Sequence, residues 1–390
     1  MGPTPLSPID YVFTGVGSHP ITFAFAYAGT LNPAQLRGSL EETLAHFPLL
    51  SSRLMRTTED GYAFEPGEDG LCFEMAQAGE SFADTGDLDQ FVSPVASTEG
   101  EPLTRVKLTQ TPGGSVLGVS ISHALVDGFS YFQVMSSWAR IAQGGRILEP
   151  AHQREALIPD PSESPGPISR EEVLARCGLF WDERRRDVSD EAFGEERTYI
   201  SKARVKELLG EAQAGCDVPL THNDVITAYL WREYVPRWVE REDNPLVYVT
   251  LPFDFRRALR ALRRTFFGCA LCFTTASTEY ENLLRAPLGE LALLVHKAVA
   301  GAKEDYIWGS LETLEGLRRG RGVGVMEEIH VRHPRNGIAV TNISRLPIQA
   351  LDFGAGIPTG FQAYTEVCRG AGIMPAQDGV EVRVFLPADW

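Results

Sequence analysis

Cysteine and positive charge are both scarce in this sequence. Six cysteines in 390 residues are too few for a disulfide scaffold, and they lie in apolar or helical contexts. This usage is typical of a reducing compartment, so we expect a cytoplasmic protein. The 36 Lys and Arg residues are outnumbered by 52 Asp and Glu residues, which gives a net charge of -16. So acidic a chain repels a phosphate backbone unless it carries one concentrated basic face, which disfavours a nucleic-acid partner.

Long uninterrupted hydrophobic runs are also missing. Residues 11–36 contain no Lys, Arg, Asp or Glu, but His19 and Pro20 interrupt them, as do Asn32 and Pro33. The alternation of small and aromatic side chains in this stretch is typical of a strand, so we expect no membrane span. The first eight residues lack a basic stretch followed by an apolar run, and we expect no export signal there.

The residues that are present predict an α/β protein with two domains. A chain with 43% hydrophobic residues folds, and 390 residues exceed one small core. Residues 149–168 hold five prolines among Ser, Glu and Gly, which predicts an exposed connector. We therefore place an N-terminal domain at residues 1–160 and a C-terminal domain at residues 161–390. Strand and helix patterns alternate in both, as expected for mixed sheets with flanking helices of the α+β sandwich type.

The strongest chemical signal is the segment His123-Ala-Leu-Val-Asp127-Gly128. It follows an apolar strand, residues 115–121, and precedes a helix predicted over residues 128–142. A histidine at the end of a buried strand is fixed by the backbone on one side and open to a cleft on the other, as a general base requires. Asp127 can cap the helix or pair with a buried Arg, and Gly128 permits a tight turn. The alternative is a core histidine satisfied by a neighbouring carbonyl.

In its strand-turn-helix setting, HALVDG resembles the active-site motif of the BAHD acyltransferases and their relatives, the chloramphenicol acetyltransferases and condensation domains. Further segments resemble landmarks of the same family, so that the likeness spans nearly the whole chain: Leu6-Ser7-Pro8-Ile9-Asp10, Phe47-Pro48-Leu49-Leu50, Ala228-Tyr229-Leu230-Trp231, LPFDFRRALRALRRTFFGCA from Leu251 to Ala270, and VTNISRLPIQALDFGAG from Val340 to Gly356.

The resemblance implies two chloramphenicol-acetyltransferase-like domains with an active-site channel between them. It also implies transfer of an acyl group from a coenzyme A thioester, a substrate rather than a bound cofactor, to a hydroxyl or amine of a small secondary-metabolite acceptor. His123 is the expected general base, and no acyl-enzyme forms. Asp127 is expected to pair with Arg256, and Thr341 is the expected oxyanion donor, with Asn342 as second choice.

The remaining expected site residues follow from the same resemblance. Donor or substrate binding is assigned to Gly128, Asn342, Ile343, Arg263 and Arg264, and structural roles to Asp254, Arg256, Asp352, Phe353 and Gly354. Three departures from the family pattern affect the acceptor pocket and donor contacts more than the base. Ile343 stands where plant members often have Trp, Ala355 replaces the Trp of Asp-Phe-Gly-Trp-Gly, and Cys269 replaces an Asn.

Several alternatives stay open. The arginines between Arg256 and Arg264 fit the phosphates of coenzyme A, an acidic carrier protein, or a solvated loop. With a carrier-protein thioester as donor, the protein would be an acyltransferase, condensation or release enzyme of a polyketide or peptide pathway. A cyclase or isomerase on the same fold would also use His123 as acid or base. A catalytically silent binding module is disfavoured because the motif is complete.

A metal site is disfavoured because the pairs Cys269/Cys272 and His330/His333 lie far apart with strand spacing. Asp352-Phe353-Gly354 lacks the loops that accompany it in kinases.

Overall fold

The fold consists of mixed sheets with flanking helices, in a computed structural model that describes residues 2–67, 70–83, 89–160, 166–186, 193–364 and 369–387. The strands within these ranges are β1 (Thr4–Pro5), β2 (Ile21–Tyr27), β3 (Ser52–Arg56), β4 (Tyr62–Pro66), β5 (Leu71–Gln77), β6 (Thr104–Thr111), β7 (Gly114–Ile121), β8 (Phe180–Trp181), β9 (Phe193–Ser201), β10 (Leu246–Asp254), β11 (Leu271–Glu279), β12 (Ile329–His330), β13 (Gly337–Asn342), β14 (Gly360–Tyr364), β15 (Gly370–Ala376) and β16 (Gly379–Pro387). The helices are α1 (Pro33–His46), α2 (Gly128–Ala142), α3 (Arg170–Cys177), α4 (Lys202–Gln213), α5 (His222–Tyr234), α6 (Tyr280–Arg285), α7 (Leu288–Ala300) and α8 (Glu304–Arg321).

One large sheet has the strand order β14-β2-β7-β6-β5. Strand β7 lies at its centre, antiparallel to both β2 and β6, and its residues from Ser115 onward are buried. Its continuous apolar run therefore suits a position covered on both faces. Helices α1 and α2 contact each other, and the side chain of Asn32 caps α1 by accepting from the amides of Ala34 and Gln35. This sheet carries the segment that holds His123.

A second large sheet has the order β11-β10-β13-β15-β16-β9 and is built from residues after position 192. Strand β13 runs parallel to both β10 and β15, which gives it a central position. A separate apolar core forms where helices α4, α5 and α7 pack on this sheet. Two smaller sheets among the described residues have the strand orders β1-β4-β3 and β12-β8.

Strand β14 crosses between the two parts of the chain. It comes from the C-terminal part, yet it pairs antiparallel with β2, with Phe361 opposite Phe25. The C-terminal part thereby supplies an edge strand to the N-terminal sheet. The domain limits at 1–160 and 161–390 stay a prediction, and this pairing qualifies it because residues 360–364 belong to the other sheet.

The connector predicted over residues 149–168 is not exposed along its whole described length. Ala151 forms a parallel bridge with Phe266, and Arg154 and Leu157 are buried. The expectation of a solvated connector is therefore wrong for this portion, because Arg154 forms an internal ion pair with Asp10. Residues 161–165 lie outside the described residues.

Most predicted elements appear within a few residues of their expected limits. Helix α2 covers residues 128–142 as predicted. The sequence at residues 337–342 predicts a strand, and β13 covers these residues. The sequence around residues 171–186 predicts one helical stretch, but α3 ends at Cys177, because Gly178 adopts a left-handed conformation with φ of 64°. None of the helices described here has the length and apolar character that a membrane span requires.

Candidate active site

A cavity of about 380 Å³ lies where the two large sheets meet. Its walls come from both parts of the chain, with His123 and α2 on one side and β10, β13 and β15 on the other. Apolar side chains dominate the lining, and the polar groups are few. These polar lining residues are His19, Thr22, His123, Asp127, Asn223, Asp254, Thr341 and Asn342. An apolar pocket with a few convergent polar groups is the usual form of a small-molecule site.

The loop from Ser122 to Asp127, hereafter the His123 loop, joins β7 to α2. Its backbone turns because the amides of Leu125 and Val126 both donate to the Ser122 carbonyl, at 3.0 and 3.2 Å. Asp127 then caps α2 by accepting from the Ser130 amide at 2.8 Å. These local contacts fix the point at which His123 leaves the sheet.

The His123 imidazole is partly exposed and stacks on Phe13, with ring centroids 3.8 Å apart and an angle of 3° between the ring planes. Burial lowers the pKa of His123 to about 4, although the backbone of His123 and Val126 and the charge of Asp127 favour the protonated form. The imidazole is therefore neutral near pH 7. Its buried Nδ1 has no hydrogen-bond partner among the described residues.

Asp127 does not orient the imidazole, because its carboxylate is fully occupied elsewhere. Arg256 binds it through two nitrogens, at 2.6 and 3.0 Å, and both side chains are buried. The amides of Ser130 and Ala270 donate to the same carboxylate, each at 2.8 Å. The structure thus brings together Asp127 and Arg256, as the resemblance implied, and their contact ties the His123 loop to the segment after β10.

Arg256 binds several further groups. It donates to the Phe266 and Gly268 carbonyls at 3.0 and 2.8 Å, and Nη1 lies 3.1 Å from the carboxylate of Asp254. Asp254 lines the cavity, its side chain is 40% exposed, and burial raises its pKa despite Arg256. A buried guanidinium with this many acceptors stabilises the surrounding backbone in one arrangement.

The opposite wall holds the residues expected at the end of β13. Thr341 is exposed and lines the cavity, and its hydroxyl has no hydrogen bond to any part of the chain described here. Asn342 is less available, because its amide donates to Asn223 at 2.9 Å and its oxygen accepts from Ser344. Ile343 is half-buried and lines the same cavity. The two strand-end residues therefore differ, and Thr341 keeps the free donor.

Gly128 lines the cavity but does not make a tight turn. It is the first residue of α2, its φ lies outside the left-handed region, and a Cβ at this position would meet no atom within 4 Å. The prediction that Gly128 permits a tight turn is therefore wrong, because residues 122–126 make the turn. The glycine leaves open space at the helix start instead.

The Asp352-Phe353-Gly354 segment forms a turn away from the cavity lining. Asp352 accepts from the amides of Gly354 and Gly356 at 2.8 and 3.0 Å, and both glycines have positive φ. Phe353 is buried, with its ring 4.9 Å from that of Trp138 on α2. These contacts support the structural role expected for the segment.

The arginines after Arg256 are exposed and do not line the cavity. Arg257, Arg260, Arg263 and Arg264 make no ion pair with a described residue, and their loop joins β10 to the segment around Phe266. These four arginine side chains on the loop after β10 are therefore available to an anion.

No cluster of three or more His, Cys, Asp or Glu side chains suited to a metal occurs within the described ranges. Cys269 and Cys272 are both buried, and burial raises the pKa of each thiol. Thiols in this state are poor metal ligands and poor nucleophiles.

Two cavity residues escaped the sequence reasoning. His19 lies edge-on to His123 with ring centroids 5.7 Å apart, and burial lowers its pKa to about 3. Phe13 supplies the stacking surface for His123. The sequence signal for His19 was its place as the one histidine in residues 11–36, a stretch without Lys, Arg, Asp or Glu.

Comparison with known proteins identifies the family of the chain. A profile of the transferase family matches residues 5–389. A hydroxycinnamoyl-CoA:piscidic acid hydroxycinnamoyltransferase from Actaea racemosa is 26% identical, over 83% of this chain and 77% of the relative. An anthranilate N-benzoyltransferase from Dianthus caryophyllus is 24% identical, over 87% and 79%. A putrescine hydroxycinnamoyltransferase from Oryza sativa is 26% identical, over 85% and 77%.

Solved structures share the fold. Fusarium graminearum TRI101 in complex with coenzyme A and T-2 mycotoxin superimposes with a TM-score of 0.81 at 13% identity, over 100% of this chain and 96% of that one. Vinorine synthase gives a TM-score of 0.74 at 18% identity, over 100% and 91%. The predicted fold class is therefore confirmed. The protein is an acyltransferase that uses a coenzyme A thioester as donor substrate and a hydroxyl or amine as acceptor, and the chain belongs to the BAHD acyltransferase family.

Proposed function

We propose that this enzyme transfers an acyl group from coenzyme A to the hydroxyl or amine of a small secondary-metabolite acceptor, with His123 as the general base. The observation that carries the proposal is the shared cavity, which has a neutral imidazole on one wall and a free hydroxyl, Thr341, on the other. The names of the relatives support small acceptors, since they include an anthranilate, a putrescine and a piscidic acid transferase.

The reaction begins with the acceptor near His123 and the thioester carbonyl beside it. His123 takes the proton from the acceptor as its oxygen or nitrogen forms a bond to the carbonyl carbon. The carbonyl becomes a tetrahedral oxyanion. When it collapses, the carbon–sulfur bond breaks, the thiolate of coenzyme A leaves, and the proton on His123 passes to that sulfur. No bond to the protein forms.

Thr341 is the proposed donor to the oxyanion. Its hydroxyl lies at the end of β13, faces the cavity, and has no competing partner within the described chain. A donor fixed on a strand end needs little reorganisation as negative charge develops. Asn342 fits this role less well, because Asn223 and Ser344 already occupy its carboxamide.

Donor binding outside the cavity is proposed for Arg263 and Arg264. Both are exposed and have no ion-pair partner among the described residues. Their loop leads to Phe266, whose carbonyl accepts a hydrogen bond from Arg256. Guanidinium groups bind phosphates well, and coenzyme A carries several. A carrier protein as thioester donor has no support from the relatives.

The experiment measures acylated product and free thiol in parallel, with an acyl-CoA donor and a panel of alcohols and amines. We expect one thiol per acylated product in the wild-type enzyme. His123→Ala is expected to lower kcat by roughly 10² to 10⁴ without loss of fold, which is the usual contribution of a general base. His46→Ala, a partly exposed histidine paired with Glu149, is the control.

Two results would contradict the proposal. If the kcat of His123→Ala lay within about tenfold of the wild-type value, His123 would not be the general base. If product formed without release of thiol, the reaction would not be acyl transfer but that of a cyclase or isomerase.

A further inference from the structure

A second buried arginine binds the His123 loop. Arg154, from the connector between the two parts of the chain, donates from Nη2 to the Leu125 carbonyl at 2.8 Å. Leu125 is the middle residue of the loop and is fully buried. The loop is thus held at two points, its middle carbonyl by Arg154 and its terminal carboxylate by Arg256.

Asp10 fixes this second arginine. Its carboxylate pairs with Nη1 of Arg154, it also accepts from the Ser7 amide at 2.6 Å, and both side chains of the pair are buried. The Arg154 guanidinium lies 4.8 Å from the centre of the Phe64 ring. Asp10 ends the Leu-Ser-Pro-Ile-Asp segment, which the proposed reaction otherwise leaves without a role.

The connector is itself attached to the segment that surrounds Arg256. The Ala151 amide donates to the Thr265 carbonyl at 2.9 Å, and the Phe267 amide donates to the Ala151 carbonyl at 3.0 Å. A Cβ placed on Gly268 would lie 2.9 Å from Nη2 of Arg154, while the Gly268 carbonyl accepts from Arg256. Both arginines therefore meet at one short stretch of backbone.

Stability alone does not explain this pair. Burial raises the pKa of Asp10 even though Arg154 lies beside it, and Oδ1 of Asp10 and Nε of Arg154 have no partner among the described residues. A buried pair with unsatisfied atoms is often no better for stability than apolar side chains of similar volume. Apolar side chains cannot hold a carbonyl at a defined point, and Arg154 does.

We propose that Arg154 and Asp10 are positioning residues for the reaction: Asp10 fixes Arg154, and Arg154 fixes the loop that carries His123. The inference rests on the proposed role of His123. Neither residue lines the cavity, so neither touches the reacting atoms. Loss of the Leu125 contact is expected to loosen the His123 loop and to affect the chemical step more than donor binding.

The main test is the double variant Asp10→Asn/Arg154→Met, which removes both buried charges and keeps an acceptor for the Ser7 amide. We expect a Tm within a few degrees of wild type, an unchanged donor KM, and a kcat lowered by about tenfold or more. A loosened loop also exposes His123 to water, so the acidic limb of kcat/KM is expected to move upward, towards pH 6.5.

Arg154→Lys is the second variant, because it keeps a charge beside Asp10 but replaces two nitrogens by one. Its kcat is expected between those of the wild type and the double variant. Arg318→Met is the control, since it removes another mostly buried arginine, which pairs with Glu315 on α8. Its kcat per folded molecule and its pH profile are expected to match those of the wild type.

A wild-type kcat and pH profile in both Arg154 variants would overturn the inference, and so would a fall in Tm with unchanged kcat per folded molecule. His123→Ala, measured alongside, separates this failure from that of the proposed function. If His123→Ala is inactive and the Arg154 variants are normal, the positioning role alone is wrong. If His123→Ala is active, the general base itself is wrong.

Discussion

The two walls of the cavity are built in different ways. Most of the His123 loop is buried, and two of its acceptors are bound by protein donors: the carboxylate of Asp127 has four, and the carbonyl of Leu125 has one. The end of β13 is exposed, and Thr341 has no side-chain partner within the described chain. On the first wall, protein donors satisfy Asp127 and the Leu125 carbonyl, while Nδ1 of His123 has no partner among the described residues. On the second wall, the hydroxyl of Thr341 is available to a ligand.

Substitutions on the two walls are therefore expected to have different consequences. A change at a bonded loop group such as Asp127 breaks protein contacts and therefore affects stability together with activity. A change at the end of β13 removes a group that faces the cavity, so activity falls while the fold persists.

The largest effect on stability is expected from Asp127→Asn. It leaves the buried Arg256 without its countercharge, and breaking such a pair destabilises by about 3–5 kcal/mol. Thermal unfolding measures the loss, and turnover is expected to fall with it. Asp224→Asn is the control, because Asp224 is a buried Asp that pairs with His296 rather than with an arginine. If the two variants lose equal stability, the claim that an unpaired Arg256 causes the large loss is refuted.

Thr341→Val tests the opposite wall. The substitution keeps the shape of the side chain and removes the hydroxyl, and loss of one oxyanion donor lowers kcat by about 10²–10³. The Tm is expected to stay unchanged, because the side chain is exposed and unbonded within the described chain. Thr341→Ser keeps the hydroxyl and is expected to retain most activity. A kcat within twofold of wild type in Thr341→Val would assign the oxyanion to another donor.

A smaller effect is expected from Arg263→Ala/Arg264→Ala, which acts outside the cavity. The donor KM is expected to rise several-fold, with kcat and acceptor KM unchanged, and the salt dependence of donor binding is expected to weaken. Arg335→Ala, another exposed arginine, is the control. Impaired use of a carrier-bound donor with normal use of acyl-CoA would identify the cluster as a protein-docking surface. An unchanged KM for both donors would leave these arginines as part of a solvated loop.

Local signals in the sequence were enough to predict the His123 loop. The apolar run of β7, the capping Asp127 and the periodicity of α2 are all readable from neighbouring residues. A glycine at position 178, a residue type that commonly ends helices, was equally visible in the sequence, so the helix predicted over residues 171–186 was avoidably long. Arg256 lies 129 positions from Asp127, and only the family resemblance pointed to that contact.

Features made by distant segments were not predictable. Strand β14 is only five residues long and exists because Phe361 and its neighbours pair with β2. The stack of Phe13 on His123 and the Arg154–Leu125 contact likewise join segments far apart in the chain. No local pattern encodes them, since each depends on how β7 and the connector pack in three dimensions.

The most direct test of a neutral, desolvated His123 is the pH dependence of kcat/KM for an alcohol acceptor at saturating acyl-CoA. An alcohol does not titrate between pH 5 and 8, so the acidic limb reports the base. With a pKa of about 4 for His123, protonation is lost as pH rises through that value, and kcat/KM at pH 5.5 is expected to stay above about nine-tenths of its value at pH 7. A fall to about one-tenth at pH 5.5 is the behaviour of an ordinary histidine and would contradict the account.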